Sequence, residues 1–377
     1  MSSEYAVPRR PLLHPLAGGR LIGLIRTLSE HGGFSLRALP QVVVMLAGAI
    51  ARWPFHTFET LRVSHRAASA SFKQPPIFIV GHWRSGTTYL HNLMSLDPRL
   101  IYPTAADALR PFEFYPSPFG FISRSLLKWS LPTIRPMDNV PLDLDLPQED
   151  ELALATMGAP SFFNSFYFPD KLGQIFEREV LLKDESNAKR MRHALRHYLG
   201  KLQALHPTRR LLIKNPAHSA RIGLLRGLFP GAKFIHIHRH PLTVHQSTCK
   251  LYRRMIEVSS LQGDCPNDIE QHTLSAYKQL MGSLLSDLQG LPESDRIEIK
   301  YEEFVRNPSV EIGRIYGHFR IADYDGMAQA IEKQASVGAP GSRETVVDAE
   351  TAKKFAAELN PFTTRLGYEQ LPARSGQ

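Results

Sequence analysis

Short apolar runs alternate with longer segments of helical periodicity from residue 75 onward. The runs predict strands at Ile77–Val80, Leu211–Lys214, Lys233–His238 and Arg296–Tyr301. The periodic segments predict helices at Thr88–Leu96, Asn187–Leu205, Ser219–Phe229, Val244–Arg254, Glu270–Leu291, Pro308–Phe319 and Ala349–Leu359. Because strands that alternate with helices form βαβ units, we expect an α/β domain over residues 75–377, with a mostly parallel central sheet flanked by helices.

Residues 1–74 carry a different pattern, which predicts an N-terminal helical extension. Apolar residues recur at helical spacing at Leu21, Ile22, Leu24, Ile25 and Leu28. A more apolar helix is predicted from Val42 to Trp53, ended by Pro54. Its apolar stretch of about ten residues is shorter than the roughly 20 that a transmembrane helix needs. The extension is consistent with a cap over a substrate pocket, with a membrane-surface or dimer contact, or with an independent domain.

Composition narrows the class of protein. With 377 residues and 43% apolar content, the chain is long enough to bury a large core. Its formal charge of +9 favours anionic partners, although a solvated basic face explains the charge equally well. Two cysteines make no disulfide framework, and the 16 histidines are scattered, so we expect a reducing, cytoplasmic location and no metal site. We expect no nucleic-acid partner, and the oligomeric state stays open.

The segment between the first predicted strand and its helix carries the chemistry. Gly81 to Thr88 is small, basic and rich in hydroxyl groups, and it directly precedes a predicted helix N-terminus. Unpaired N–H groups and the helix dipole make such a terminus an anion site. The turn lacks the Gly-Lys-Ser/Thr ending of a nucleoside triphosphatase loop. It therefore predicts a bound phosphate that is not a γ-phosphoryl donor.

Two further strand ends carry cationic residues. One predicted strand ends at Lys214, and another leads into Arg239. Ser247 follows Arg239 by eight residues, with Pro241 fixing the turn between them, so a guanidinium and a hydroxyl are placed to clamp a second phosphate. Ligands of parallel sheets bind beyond the carboxyl ends of the strands, where all these residues fall.

This set of motifs resembles the sulfotransferases that use 3′-phosphoadenosine 5′-phosphosulfate (PAPS), over roughly Pro76 to Tyr301. The resemblance implies a P-loop-like sulfotransferase fold. It also implies that the turn Gly81 to Thr88, the donor turn, holds the 5′-phosphosulfate through Arg84, Ser85, Gly86, Thr87 and Thr88. The 3′-phosphate is expected on Arg239 and Ser247, with Tyr301 near the nucleotide. Lys214 is similar to the lysine that stabilises the sulfate in transit in the tyrosylprotein branch.

The implied activity is metal-independent transfer of a sulfuryl group from PAPS to a hydroxyl or amine acceptor. A hydroxyl acceptor needs a base, for which the candidates are Glu149 and Asp150 in a carboxylate cluster that equally suits a helix cap, and His82 in the donor turn. The only carboxylate near the position of the family's base is Asp107, so the base assignment stays open. A tail segment from Arg343 to Tyr368 resembles the family's closing loop and last helix, and offers Lys353 and Lys354.

The aromatic residues between positions 103 and 170, together with the N-terminal helices, predict an apolar acceptor pocket, although core packing explains them as well. A lipid-like hydroxyl compound then fits better than a polysaccharide, and the protein would be cytoplasmic with peripheral membrane contact. A P-loop-type nucleotide kinase and a noncatalytic basic membrane-surface protein are the alternatives.

Overall fold

A five-stranded parallel sheet forms the centre of the computed structural model, which describes residues 14–114, 124–125, 127–128, 143–322, 325–336 and 349–369. The strands are β1 (Ile77–Val80), β2 (Leu100–Ile101), β3 (Arg210–Lys214), β4 (Lys233–His238) and β5 (Arg296–Lys300). Their spatial order is β2-β3-β1-β4-β5, and every recorded strand pair is parallel. The expected α/β class is confirmed.

Helices flank this sheet and precede it. In the described part of the chain they are α1 (Leu21–Glu30), α2 (Leu39–Ala68), α3 (Thr87–Met94), α4 (Ala105–Leu109), α5 (Asp150–Thr156), α6 (Asn164–Tyr167), α7 (Leu172–Ile175), α8 (Glu185–Leu205), α9 (Ile222–Leu228), α10 (Pro241–Ser259), α11 (Ile269–Gln289), α12 (Tyr301–Arg306), α13 (Pro308–His318), α14 (Asp325–Ser336) and α15 (Ala349–Arg365). Short 3₁₀ turns at Pro15–Gly18 and Pro216–Ala220 matter for the site below.

The predicted end of the second helix at Pro54 is wrong, because α2 continues to Ala68. Pro54 lies on the exposed side of the helix, where the loss of one hydrogen bond is tolerated. The buried positions recur at spacings of three and four on both sides of the proline, so packing against α8 continues past it. The approach is close: a Cβ atom at Gly200 would collide with the carbonyl oxygen of Ala67.

The N-terminal helices share the main hydrophobic core with the rest of the chain. Leu24, Val42 and Met45 belong to the same buried cluster as Phe78 on β1. Glu59 on α2 forms a buried ion pair with Lys201 on α8. This shared core argues against an independent N-terminal domain.

Candidate active site

The turn after β1 is held in its shape by two glycines. Gly81 (φ 143°) and Gly86 (φ 99°) occupy backbone conformations that side chains disfavour. A Cβ atom at Gly81 would collide with the carbonyl oxygen of Ile237, and one at Gly86 would collide with the ring of Tyr301. The turn therefore lies directly against the ends of β4 and β5.

Two buried serines fix the same turn. The hydroxyl of Ser85 lies 2.8 Å from the carbonyl oxygen of His82 and 3.0 Å from that of Ile237, so its proton is used within the fold. Ser219 accepts a hydrogen bond from the N–H of Gly81 (2.9 Å) and donates one to its carbonyl oxygen (3.0 Å). These contacts favour a structural role for the Ser85 side chain, whereas Thr87 and Thr88 open α3, where backbone N–H groups lack helical partners.

The residues expected to bind the two donor phosphates form one cluster. Arg84, a non-glycine residue with φ 71°, donates from Nε to Oγ of Ser247 at 2.9 Å. The guanidinium of Arg239 lies 4.6 Å from the ring centroid of Tyr301. Burial raises the pKa of Tyr301, and the Arg239 charge opposes that shift. Because Tyr301 also contacts Gly86, cations from the turn and from the end of β4 face one region.

Lys214 and Glu149 meet beside this cluster. Nζ of Lys214 lies 2.9 Å from Oε2 of Glu149, and the two side chains are 4% and 3% exposed. The other carboxylate oxygen, Oε1, is buried and has no hydrogen-bond partner within the described residues. Lys214 pairs with Ile79 on β1, two residues before Gly81, so the ion pair lies next to the donor turn. Buried carboxylate oxygens usually accept a hydrogen bond, so Oε1 has the capacity to accept one from a ligand.

The two carboxylates after Glu149 are engaged elsewhere. Asp150 accepts hydrogen bonds from Nδ2 of Asn215 (2.8 Å) and Nε2 of His218 (2.9 Å). Glu151 accepts from Asn215 (2.7 Å) and from Arg221 (2.9 Å). All of these side chains are buried. Their contacts favour a positioning role for Asp150 rather than the role of base.

His82 carries a second unpaired acceptor. Its Nδ1 donates to the carbonyl oxygen of Trp83 at 2.9 Å, and burial lowers the pKa of the ring to about 4. The ring is therefore neutral near pH 7. Its Nε2 is buried without a hydrogen-bond partner in the described ranges and holds a lone pair. His82 thus stays an alternative base or a ligand for substrate.

Other residues singled out by the sequence have different surroundings. Asp107 forms a capping box with Thr104 at the start of α4, which accounts for its carboxylate. Lys354 lies 3.3 Å from Glu270, and Arg343 lies outside the described residues.

The C-terminal segment covers the end of β4, a contact that sequence reasoning missed. The hydroxyl of Tyr368 lies 3.1 Å from the carbonyl oxygen of His238 and 2.9 Å from Oε2 of Glu302. Nε2 of His240 donates to the carbonyl oxygen of Glu369, also at 3.1 Å. Contacts between residues 129 or 130 positions apart leave no local sequence signal.

The described aromatic residues between positions 103 and 170, which predicted an acceptor pocket, pack inward. Phe162, Phe166 and Tyr167 are buried in the main core, and Trp83 of the donor turn stacks on Phe162 with ring centroids 3.8 Å apart. Tyr115 and most of residues 115–142 lie outside the described part of the chain. A direct acceptor contact by any of these residues stays a prediction.

A groove elsewhere on the surface is separate from the predicted donor site. An open groove of about 550 Å³ lined by Leu182, Arg192 and Leu228 contains none of the predicted donor residues. Within the described ranges, no group of three or more His, Cys, Asp and Glu side chains is arranged to hold a metal ion. Cys249 and Cys265 are free thiols.

Comparisons with known proteins show the family of this chain. A family model described as "Sulfotransferase family" matches residues 75–325. Two curated proteins, from Mycobacterium bovis and Mycobacterium tuberculosis, are both named omega-hydroxy-beta-dihydromenaquinone-9 sulfotransferase Stf3. Each is 31% identical over 332 residues, which cover 85% of this chain and 81% of the relative.

Solved structures show the same fold. Sulfotransferase STF9 from Mycobacterium avium matches with a TM-score of 0.67 and 18% identity, covering 93% of this chain and 91% of that one. Sulfotransferase STF1 from Mycobacterium tuberculosis H37Rv matches with a TM-score of 0.63 and 16% identity, covering 83% and 85%. The family resemblance drawn from the sequence is confirmed.

Proposed function

Since this chain belongs to the sulfotransferase family, we propose that it transfers a sulfuryl group from PAPS to the hydroxyl of an apolar, lipid-like acceptor. Family membership implies the PAPS donor and sets aside the nucleotide kinase and the noncatalytic protein. The observation that carries the residue assignment is the buried Lys214–Glu149 pair with its unpaired carboxylate oxygen beside the donor turn.

The donor's phosphates fit the cationic cluster. Arg84 and the N-terminus of α3 lie where the 5′-phosphosulfate would bind, and Arg239 with Ser247 suits the 3′-phosphate. Guanidinium groups bind phosphate oxygens with charge-assisted hydrogen bonds, often two at a time. Because Arg84 already contacts Ser247, both phosphates would be bound within one connected set of donors.

Transfer needs a base that accepts the hydroxyl proton and a cation that stabilises the leaving phosphate oxygen. The acceptor oxygen attacks sulfur, the bond from sulfur to the bridging phosphate oxygen breaks, and the hydroxyl proton passes to Oε1 of Glu149. Negative charge then builds on the phosphate oxygen, which the ammonium of Lys214 stabilises. A lysine carries three N–H donors, so Lys214 can keep its contact with Glu149 while it reaches this oxygen.

The network behind the pair holds it in position. Asn215 follows Lys214 directly and bonds both Asp150 and Glu151, which follow Glu149. The residue after Lys214 is thereby tied to the two residues after Glu149. We expect this network to orient Glu149 without taking part in proton transfer.

Support for a lipid-like acceptor is independent of the donor site. The relatives named for sulfating a hydroxylated menaquinone align with 85% of this chain. The N-terminal helices, which precede the part matched by the family model, expose many apolar side chains. A free polysaccharide would require an open polar groove instead.

Incubation with ³⁵S-labelled PAPS and cell fractions sorted into lipid, glycan and protein tests both parts of the proposal. We expect label in the lipid fraction. Glu149→Gln should lower the rate by about 10²–10⁴-fold, the usual contribution of a general base. The exposed Glu332→Gln serves as the matched control and should be unchanged.

Label in the glycan or protein fraction would overturn the acceptor, and full activity of Glu149→Gln would overturn the base. If His82→Gln were inactive while Glu149→Gln remained active, His82 would be the base.

A further inference from the structure

Exposed large hydrophobic side chains are concentrated in the N-terminal helices. Among the described residues, eleven of the fourteen such side chains lie between positions 22 and 61, and the other three are Leu96, Leu146 and Val310. Soluble surfaces rarely carry apolar patches this concentrated without an interaction partner. We therefore expect this apolar surface to bind a partner.

Four of the seven exposed large hydrophobic side chains on α2 form one stripe. Leu39, Val43, Ile50 and Leu61 follow one another at separations of 4, 7 and 11 residues, each close to a whole number of helical turns. Val43, Ile50 and Leu61 are 54%, 58% and 82% exposed. The opposite face is buried against α8 and the core. The stripe is thus the outer ridge of a 30-residue helix, about 45 Å long at 1.5 Å per residue.

The exposed arginines on α2 and in the turn before it give this part of the surface a positive charge. Glu59 is the one acidic residue between positions 31 and 75, and it is buried against Lys201. Arg37, Arg62 and Arg66 are exposed in the same stretch. Basic residues beside an apolar helix face are attracted to anionic lipid headgroups. Trp53, 71% exposed on α2, is of the type enriched at membrane–water interfaces.

The helix lies along the body of the protein rather than apart from it. Leu36–Val63 is long and apolar enough to cross a membrane by length and composition. However, Arg52 and His56 on its inner face contact Glu113 at 2.6 and 3.0 Å. A membrane-spanning arrangement would break these contacts, whereas an arrangement in the plane of the surface keeps them.

We propose that α2 binds an anionic lipid bilayer surface, with its apolar stripe inserted among the headgroups and its basic residues against lipid phosphates. The occupant is a bilayer rather than a second copy of the chain, because like positive charges on two copies would repel each other. The inference goes beyond the proposed function, since binding to a surface does not require that the acceptor be a lipid.

The inner face of α2 contacts the segment that precedes α1, and this segment contacts the end of α5. Nη1 of Arg52 on α2 donates to the carbonyl oxygen of Ala17 at 3.0 Å. Oγ1 of Thr156, the last residue of α5, lies 3.4 Å from the carbonyl oxygen of Pro15 and 2.9 Å from that of Leu152. These contacts join the inner face of α2 to the helix that Glu149 precedes.

Vesicle co-sedimentation of the full chain tests the proposal. Vesicles of phosphatidylcholine alone are compared with vesicles containing 30% phosphatidylglycerol. We expect binding to the anionic vesicles at least tenfold tighter than to the neutral ones, and weakened by 0.5 M salt. Val43→Glu/Ile50→Glu/Leu61→Glu should lower anionic-vesicle binding at least tenfold, whereas Val310→Glu, at a 67% exposed valine elsewhere, should not change it.

We expect the triple variant to fold, because its three positions are exposed. Thermal unfolding and binding of 3′,5′-bisphosphoadenosine are the controls that check this. Equal vesicle binding by the triple variant and the wild type would overturn the proposal. The proposal would also be overturned if light scattering showed that the wild type is a dimer, that this dimer does not bind vesicles, and that the same substitutions dissociate it. Vesicle binding without transfer to lipid would refute the proposed acceptor and leave this inference standing.

Discussion

Substitutions in the buried Lys214–Glu149 pair should change the free energy of unfolding and the rate of transfer in different ways. The variants are Lys214→Met, Glu149→Gln and the double variant. Lys214→Met leaves a buried carboxylate with neither oxygen paired, because Oε1 already lacks a partner in the described structure. Glu149→Gln leaves a buried ammonium beside a neutral amide. The double variant removes both charges together.

The geometry sets the expected magnitudes. At 2.9 Å and an effective dielectric constant of about 20, the Coulomb attraction is about 6 kcal/mol. Burial of the two ions costs a comparable amount, so the intact pair contributes little net stability. Removing one partner should cost about 3–5 kcal/mol because a charge stays buried without compensation. The double variant should therefore be far more stable than the sum of the single losses implies.

The ranking of the three variants by turnover should differ from their ranking by stability. Lys214→Met removes the electrophile and should lower turnover about a hundredfold to a thousandfold, with a much smaller change in donor affinity. The double variant should regain stability and remain as inactive as the worse single variant. Denaturant unfolding gives the free energies, and sulfuryl transfer from PAPS gives the rates.

Additive losses of stability in the double variant would show that the pair is not energetically coupled. A rise in the donor Michaelis constant alone for Lys214→Met would make the lysine a ground-state ligand and refute its role as the electrophile.

Three other substitutions test the donor turn and its surroundings. Arg239→Ala should weaken 3′,5′-bisphosphoadenosine binding, measured by calorimetry, about tenfold to a hundredfold, and Ser247→Ala should weaken it by a smaller factor. An unchanged affinity of the arginine variant would contradict the 3′-phosphate assignment. Arg192→Ala, at an exposed arginine, is the control. The pKa of His82, about 4 in the folded protein against 6.5 in an unfolded chain, means that the unfolded chain binds the extra proton, so stability falls as pH drops. Between pH 7 and pH 5 this residue should account for about 2 kcal/mol, which His82→Phe should remove; equal pH dependence of the two unfolding free energies would refute the buried neutral ring.

Local patterns predicted the sheet well because each strand is a short apolar run with clear boundaries. The structure confirms strands at Ile77–Val80 and Lys233–His238 with the predicted bounds. β2 was missed because two residues are too few to show a period. The donor turn was also predictable, since glycines, hydroxyls and a helix start are adjacent in sequence.

The choice among three consecutive carboxylates was not predictable in the same way. Successive residues near a helix start point in directions about 100° apart, so Glu149, Asp150 and Glu151 meet different partners. Those partners lie 64 to 70 positions away. Only the tertiary structure shows that Lys214 takes Glu149 while the other two carboxylates are fully engaged.

The N-terminal helices illustrate a second limit of sequence patterns. Periodicity predicts the helix but not its orientation when both faces are apolar, as with Val42 and Met45 on one face of α2 and Val43 and Ile50 on the other. The structure buries the first face in the core and exposes the second. Core packing and a membrane contact are therefore compatible functions of one helix. Deleting it would also remove the partner of buried Lys201, so substitutions confined to the exposed stripe are the perturbation that isolates the outer face.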